Sequence, residues 1–468
     1  MKKYIIPFTI MALLLSSCDN DLLNINPEST KVNSDFYADA AQIEQGLNSV
    51  YGTLQYNGQY RLAMLAIGEI PTDNTYCEVP ANDSFTYGEF DFFTIQPNNS
   101  LIGNIWKDNY IGIQQANIIL NRIDNITDMS DMDKSMVKGE VKFLRALMYF
   151  NLVRIFGDVP LVTKETTDVN SYFGQGRTSK NEVYDLIKTD LTDAIDLLPV
   201  IPAKIGKVTK GAALGILGKV YLTLGEYEKA LTYLNQIETL GYYLLDNPND
   251  IFDINNENNN EIIFDVQFAS GLNGNSEGSN AFQMFSPSGT VSGAKGHNLP
   301  TKEIYNLYSK NDLRRDAYIG ITKNNIHFTK KLVKTSNSVE DGGSNVVVLR
   351  LADVLLMISE CYANKNDFVN ANAYLNRIKQ RAGLTVVDIN NQSELLSEIA
   401  LERRLELIGE GHRWFDLVRT GNAIEVISNH LAITPGFSTA QIKSHHLLMP
   451  IPQNQINTDS SIIQNPGY

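Results

Sequence analysis

Helical apolar periodicity constrains this sequence more than any other feature. Val141, Leu144, Met148, Leu152 and Ile155 recur at helical intervals and so line one stripe of a helix. Phe143, Leu147 and Phe150 add a second apolar face, which predicts a helix buried on most sides. Gly157 stops it and Pro160 follows, as a terminated helix requires. A second pattern spans residues 212–240. Leu214, Leu217, Tyr221 and Leu224 form one stripe, Gly225 breaks it, and Tyr227, Ala230, Leu231 and Leu234 form the next. Small Gly218 lets the two helices approach, as in a tetratricopeptide-type hairpin. Residues 349–382 repeat the design, with Leu351, Val354, Leu355, Ile358 and Tyr362 facing Ala371, Tyr374, Leu375 and Ile378 across a turn at 364–367. The hairpins are far apart in sequence, so a continuous solenoid is not expected. The predicted fold is mainly α: tetratricopeptide-like helical hairpins in a single domain, with long loops and a small β element.

Two long segments break the helical pattern, at 71–103 and 255–295. Both are rich in Gly, Asn, Ser and aromatic residues. The second opens with a predicted strand from Glu261 to Phe268. Loops this long in a compact chain are functional or disordered, and the aromatic content argues against disorder.

The N-terminus carries a different signal. Met1-Lys2-Lys3 precedes an apolar run from Tyr4 to Leu15, then Leu15-Ser16-Ser17-Cys18. The run is too short to span a bilayer permanently, and the tetrapeptide matches a bacterial lipobox. The expectation is a signal peptide at 1–17, lipid such as palmitate on Cys18, and a polar tether at 18–30. Each buried CH₂ contributes roughly 0.8 kcal/mol, so two chains suffice for stable anchoring. Asp19-Asn20-Asp21 follows at once.

The net charge of −14 disfavours nucleic acid and anionic membrane surfaces as partners. Cys77 and Cys361 permit one disulfide but no disulfide framework. The sequence has no CxxC, HExxH or GxxxxGK[ST] motif, so no metal or cofactor is expected. His445-His446 is the only adjacent histidine pair, and it reads as part of a solvated loop.

Four blocks together resemble the SusD/RagB family of Bacteroidetes lipoproteins. They are Phe143-Leu144-Arg145-Ala146 through Phe156-Gly157-Asp158-Val159-Pro160-Leu161-Val162; Arg350-Leu351-Ala352-Asp353-Val354-Leu355-Leu356-Met357; Glu402-Arg403-Arg404-Leu405-Glu406-Leu407 with Gly411-His412-Arg413-Trp414-Phe415-Asp416-Leu417-Val418-Arg419; and Leu448-Met449-Pro450-Ile451-Pro452 with Gln464-Asn465-Pro466-Gly467-Tyr468. The resemblance covers nearly the whole chain and divides it into an N-terminal half at 31–240 and a C-terminal half at 241–468. It implies an outer-membrane lipoprotein facing the cell exterior. Such proteins bind glycans and sit as a lid on a SusC-like TonB-dependent barrel, and some relatives handle peptides or other nutrients.

Sugars present flat C–H faces and hydroxyl rims. Aromatic rings meet the faces, while Asp and Asn meet the hydroxyls. On that chemistry the expected glycan contacts are Asp73, Asn74, Tyr76, Phe85, Tyr87 and Phe90 in the first insertion, and Phe282 and Phe285 in the second. Alternation places Phe85 and Tyr87 on one face of an extended segment. Phe92 and Phe93 in the first insertion, and Asn273, Asn275, Asn280 and Met284 in the second, add to the same mixture. Neither insertion contains tryptophan.

Glu402, Glu406 and Glu410 share a helical face and could suggest paired catalytic carboxylates. Neighbouring Arg403, Arg404 and Arg413 would depress their pKa, whereas a general acid needs the opposite. Ion pairing is the expected role, and His412, Trp414 and Phe415 are read as structural. Trp106 and Tyr110 are read as core. Arg145 and Arg350, set among apolar residues, are each expected to reach a carboxylate. The expected function is capture of an extracellular oligosaccharide without chemistry and delivery to the barrel. The alternatives are a binder of peptide or another non-glycan nutrient, a surface glycoside hydrolase, or a pure interaction scaffold.

Overall fold

The helix Asp131–Phe156 forms where the periodicity places it. Ser130 caps it by accepting from the Asp133 amide at 3.1 Å. Gly157, at φ 75°, ends it while its amide still bonds to Val153. Both apolar faces are buried, so the helix sits inside a stack. The computed structural model describes residues 36–168, 173–272, 274, 277–333, 338–437 and 439–468. Cys18, the signal peptide, the tether, Asn273 and Asn275 lie outside the described residues.

The helices used below are α1 (Ala40–Thr53), α2 (Ala63–Glu69), α3 (Ser100–Arg122), α4 (Asp131–Phe156), α5 (Lys180–Leu197), α6 (Lys210–Thr223), α7 (Tyr227–Ile237), α8 (Leu351–Asn364), α9 (Phe368–Arg381), α10 (Gln392–Glu406), α11 (Arg413–Arg419) and α12 (Ala423–Ile433). From α3 to α7 each helix packs on the next, and α1 packs on α3. The row then crosses the second insertion. α7 packs directly on α8, and α9 and α10 complete it. The two hairpins are thus distant in sequence and adjacent in space, as expected of helical pairs packed into one bundle with long insertions between them.

The hairpins correspond residue by residue at an offset of 141 positions. Tyr221 stacks on Tyr233 at 5.5 Å, and Tyr362 stacks on Tyr374 at 5.9 Å. Gly225 and Asn366 hold the same place in the two turns, both in the left-handed region. Gly218 and Ser359 occupy the matching helix crossing. A Cβ at Gly218 would lie 2.4 Å from a Leu234 methyl. Ser359 instead donates to the Ala371 carbonyl at 2.7 Å.

Among the described residues, three small antiparallel pairs supply the named strands. They are β1 (Thr75–Tyr76) with β3 (Leu299–Pro300), β2 (Ile262–Val266) with β6 (Val346–Arg350), and β4 (Ile319–Ile321) with β5 (His327–Thr329). β2 and β6 are buried throughout. β6 runs straight into α8, so Arg350 ends the strand at the helix boundary.

That position puts the Arg350 guanidinium in the interior. It donates to Glu261 at 2.8 Å, to Glu406 at 2.6 Å and to both oxygens of Glu410 at 2.8 and 2.9 Å. Arg381 bonds to Glu406 and Glu261. Arg314 bonds to Asp312, Glu402 and Glu406, and Lys331 donates to Glu410. Burial works to raise the Glu410 carboxyl, but Arg350 and Lys331 outweigh it and hold the pKa near 2. Arg145 likewise grips Asp190 with two bonds of 2.8 and 2.9 Å, tying α4 to α5. Both arginines find the carboxylate expected of them.

Other expectations change. His445 and His446 lie in a short 3-10 turn, not a solvated loop. His446 is buried against Phe93, and its Nδ1 accepts from the Lys443 amide at 3.0 Å. Cys77 and Cys361 are buried free thiols.

Arg350→Met should leave Glu406 and Glu410 short of charge partners in the interior. The expected loss is about 3–5 kcal/mol of stability, read from the midpoint of urea denaturation.

Candidate functional site

The charged block at 402–419 belongs to the scaffold. Glu402, Glu406 and Glu410 are buried in the arginine network. His412 is also buried, and its Nδ1 faces the Lys219 ammonium at 3.2 Å. Lys219 donates on to Asp353 at 2.8 Å. Burial and the Lys219 charge push the imidazole down to about 3, so it stays neutral and accepts. His412, Lys219 and Glu410 border a cavity of about 30 Å³ with Tyr60 and Arg154, enough for a single water. Trp414 and Phe415 are core residues, and Arg154 lies over the Phe415 and Phe150 rings.

The expected glycan contacts divide into two groups. Asp73, Asn74, Tyr87, Phe90 and Phe285 are buried. Asp73 accepts two bonds from Arg413, at 2.9 and 3.0 Å, and pairs with Arg404 at 3.0 Å. Burial works to raise its carboxyl, and the two guanidiniums outweigh this and keep it ionised. Asn74 donates to Glu69 at 3.1 Å and accepts from Arg404 at 2.7 Å. The polar groups expected at a sugar rim are therefore engaged in fixing the root of the first insertion. The Tyr87 ring stacks on His297 at 4.2 Å. Phe85 and Tyr87 do not share a face, because residues 82–85 form a tight turn and Gly88–Asp91 a helical one. Tyr76, Phe85 and Phe282 remain half-buried.

The two insertions are sewn together. β1 pairs with β3, the Glu78 amide donates to Gly296 at 2.8 Å, and the Ser288 amide donates to the Glu78 carboxylate at 2.7 Å. Asn82 donates to the Lys295 carbonyl at 2.8 Å. The two Asp83 oxygens bond to Lys295 Nζ and His297 Nε2, each at 2.9 Å. Partial burial works to raise the Asp83 carboxyl, and these bonds outweigh it and hold it below the usual carboxylate range. Asp83, Ser84 and Phe85 have φ of 52°, 57° and 66°. A non-glycine residue in the left-handed region costs about 1–3 kcal/mol, so three in succession require external support.

A row of half-buried rings edges this junction. Phe85 tilts against Phe92 at 5.8 Å, and Phe92 stacks on Phe437 at 4.7 Å. Exposed Ser84 and Thr94 and half-buried Thr86 and Glu89 lie along the same stretch of chain. Rings with partly open surfaces beside hydroxyls and carboxylates can receive an amphipathic ring such as a pyranose. Phe437 was not visible as a partner from the sequence. Its only local signal is an aromatic residue just after the Pro435-Gly436 turn.

A larger cleft of about 640 Å³ runs along α3, lined by Trp106, Tyr110, Pro160, Phe173 and Ile462. Its walls are largely apolar. Of its four glutamines, Gln114 is spent on Thr166 through its carbonyl oxygen at 2.8 and 3.3 Å. The ring row at the junction has the more suitable polar surroundings.

Comparison with known proteins agrees with this architecture. Residues 311–468 match the model described as SusD family, and residues 21–222 match one described as starch-binding associating with outer membrane. The chain belongs to the SusD family. It is 26% identical to SusD-like protein P25 of Formosa agariphila over 99% of both chains. Against the starch-binding protein SusD of Bacteroides thetaiotaomicron it is 23% identical over 76% of both chains. A laminarin-binding SusD-like protein of known structure superposes with a TM-score of 0.80 at 29% identity, covering 92% of this chain and 100% of that one. Among the described residues no helix is long and apolar enough to cross a membrane.

The His412 environment predicts a pH signature. Its pKa is lower folded than unfolded, so the unfolded chain binds the extra proton. The stabilisation is present above about 6.5 and is lost as pH falls towards 3. In His412→Asn, Oδ1 can accept from Lys219 without titrating. Between pH 6 and 4 the wild type should lose up to about 1.4 kcal/mol per pH unit more than the variant, read from paired urea denaturation curves.

Proposed function

We propose that the protein captures an oligosaccharide at the cell surface and passes it to a SusC-like TonB-dependent barrel, without chemistry of its own. The observation that carries this reading is the row Phe85, Phe92 and Phe437 at the junction of the two insertions. Tyr76 and Phe282 are the other half-buried aromatics of the expected set and extend the candidate surface. Membership of the SusD family supports a glycan as the ligand class, and a related structure is a laminarin-binding protein. Laminarin is therefore the first ligand to test, with soluble starch beside it. The charged block offers no free acid and base pair, because its carboxylates are held by arginine and lysine. This favours binding over hydrolysis.

Phe85→Ala and Phe92→Ala should each weaken glycan binding by about tenfold in titration calorimetry while leaving the unfolding midpoint nearly unchanged. Binding of peptides in place of glycans, or new reducing ends on incubation, would replace this reading with one of its alternatives.

Lipid on Cys18 would keep the protein beside its barrel and raise its effective concentration there. Cys18→Ala should move the folded protein from the outer-membrane fraction to the soluble one and reduce uptake. Glycan affinity of the soluble form should be unchanged.

A further inference from the structure

Phe85 owes its position to a backbone that its own residue type does not favour. Asp83, Ser84 and Phe85 follow one another in the left-handed region, where a Cβ crowds the neighbouring carbonyl. Such a run persists only when its surroundings over-determine it. Ser84 is exposed and packs against little. Support from the second insertion converges on Asp83 and its neighbour. Lys295 Nζ and His297 Nε2 each take one Asp83 oxygen at 2.9 Å, and Asn82 holds the Lys295 carbonyl at 2.8 Å. His297 is held in turn by the stacked Tyr87 ring. Burial lowers the His297 pKa and favours the neutral ring; with Nε2 donating to the carboxylate, Nδ1 is the acceptor nitrogen, buried without a hydrogen-bond partner among the described residues. On the far side of the turn, the Thr86 carbonyl accepts from Asn99 at 2.9 Å. Gly88 leaves the space that the Phe85 ring fills, because a Cβ there would lie 2.8 Å from the ring.

We propose that Asp83 is a positioning residue for the glycan platform: its clasp on Lys295 and His297 holds the left-handed turn that sets Phe85 against Phe92. The proposal rests on the reading of these rings as the glycan surface. Without the clasp, the turn relaxes to ordinary backbone and the Phe85 ring leaves the row. The second insertion thereby controls the shape of a surface built from the first. Differences at Lys295 or His297 would alter ligand preference without touching ligand.

The test is a double-mutant cycle on the purified protein, with laminarin and soluble starch as probes. Asp83→Ala should weaken binding about fivefold in the presence of Phe85 and have almost no effect in the Phe85→Ala background. Adding Ser84→Gly to Asp83→Ala should recover much of the loss, because glycine adopts the left-handed region freely. Lys295→Met, which leaves one arm of the clasp, should give a smaller loss in the same direction. It serves as the second variant if Asp83→Ala folds poorly. If Asp83→Ala weakens binding equally with and without Phe85, the carboxylate acts on ligand directly or through the whole fold, and the proposal is overturned. If Phe85→Ala weakens binding but neither Asp83→Ala nor Lys295→Met does, the clasp is irrelevant and the glycan reading stands. If Phe85→Ala has no effect, or neither probe binds, the glycan reading itself fails and the clasp proposal falls with it.

Discussion

The Arg350 guanidinium is the contact on which the rest of this structure depends. It closes strand β6, opens helix α8 and meets three carboxylates from two distant stretches of chain. Arg381 at the end of α9 and Arg314 from the second half converge on the same Glu406. Few fully buried groups are more costly to leave half-paired. The elements that carry these charges are therefore confined to one relative arrangement. Apolar packing alone would tolerate small slides of helix on helix, whereas guanidinium and carboxylate geometry tolerates much less.

The same block reaches outward to the junction of the two insertions. Arg404 and Arg413 hold Asp73, and Glu69 accepts from the Gly411 amide at 3.0 Å. The root of the first insertion is thus bolted to the helical row. Its tip is fastened to the second insertion by Asp83 and Glu78. Rings on a segment fixed at both ends lose little freedom when a ligand arrives, so binding need not overcome the ordering of a loop.

The helices could be read from the chain because burial imposes a period on them. Val141 to Ile155 and the two tyrosine-bearing hairpins announce themselves that way. The strand at 262–266 was visible as a run of β-branched and aromatic residues, but its partner 80 positions on was not. Arg145 and Arg350 were legible as buried charges, since an arginine in an apolar run has few other fates. The candidate ligand face was harder. Loop aromatics follow no period, so nothing in the sequence separates Phe90, which is buried, from Phe85 and Phe92, which are not. Asp73 and Asn74 looked like sugar partners because their arginines lie over 300 residues away. Phe437 was missed for the same reason: its place beside Phe92 is made by the return of the chain after α12.

The pairing of β2 with β6 has a consequence for how such a chain can change. It draws residues 266 and 346 together, so the chain between them, which holds most of the second insertion, starts and ends at a narrow neck. Once a neck is closed, doubling the length of what lies beyond it adds roughly 0.6 kcal/mol of loop entropy. Exposed stretches beyond that neck, such as residues 288–293, can therefore be lengthened or shortened at little thermodynamic risk, whereas Arg314 and Lys331, which also lie beyond it, are held in the buried charge network. The exposed part of that segment is the part whose revision the fold can best tolerate.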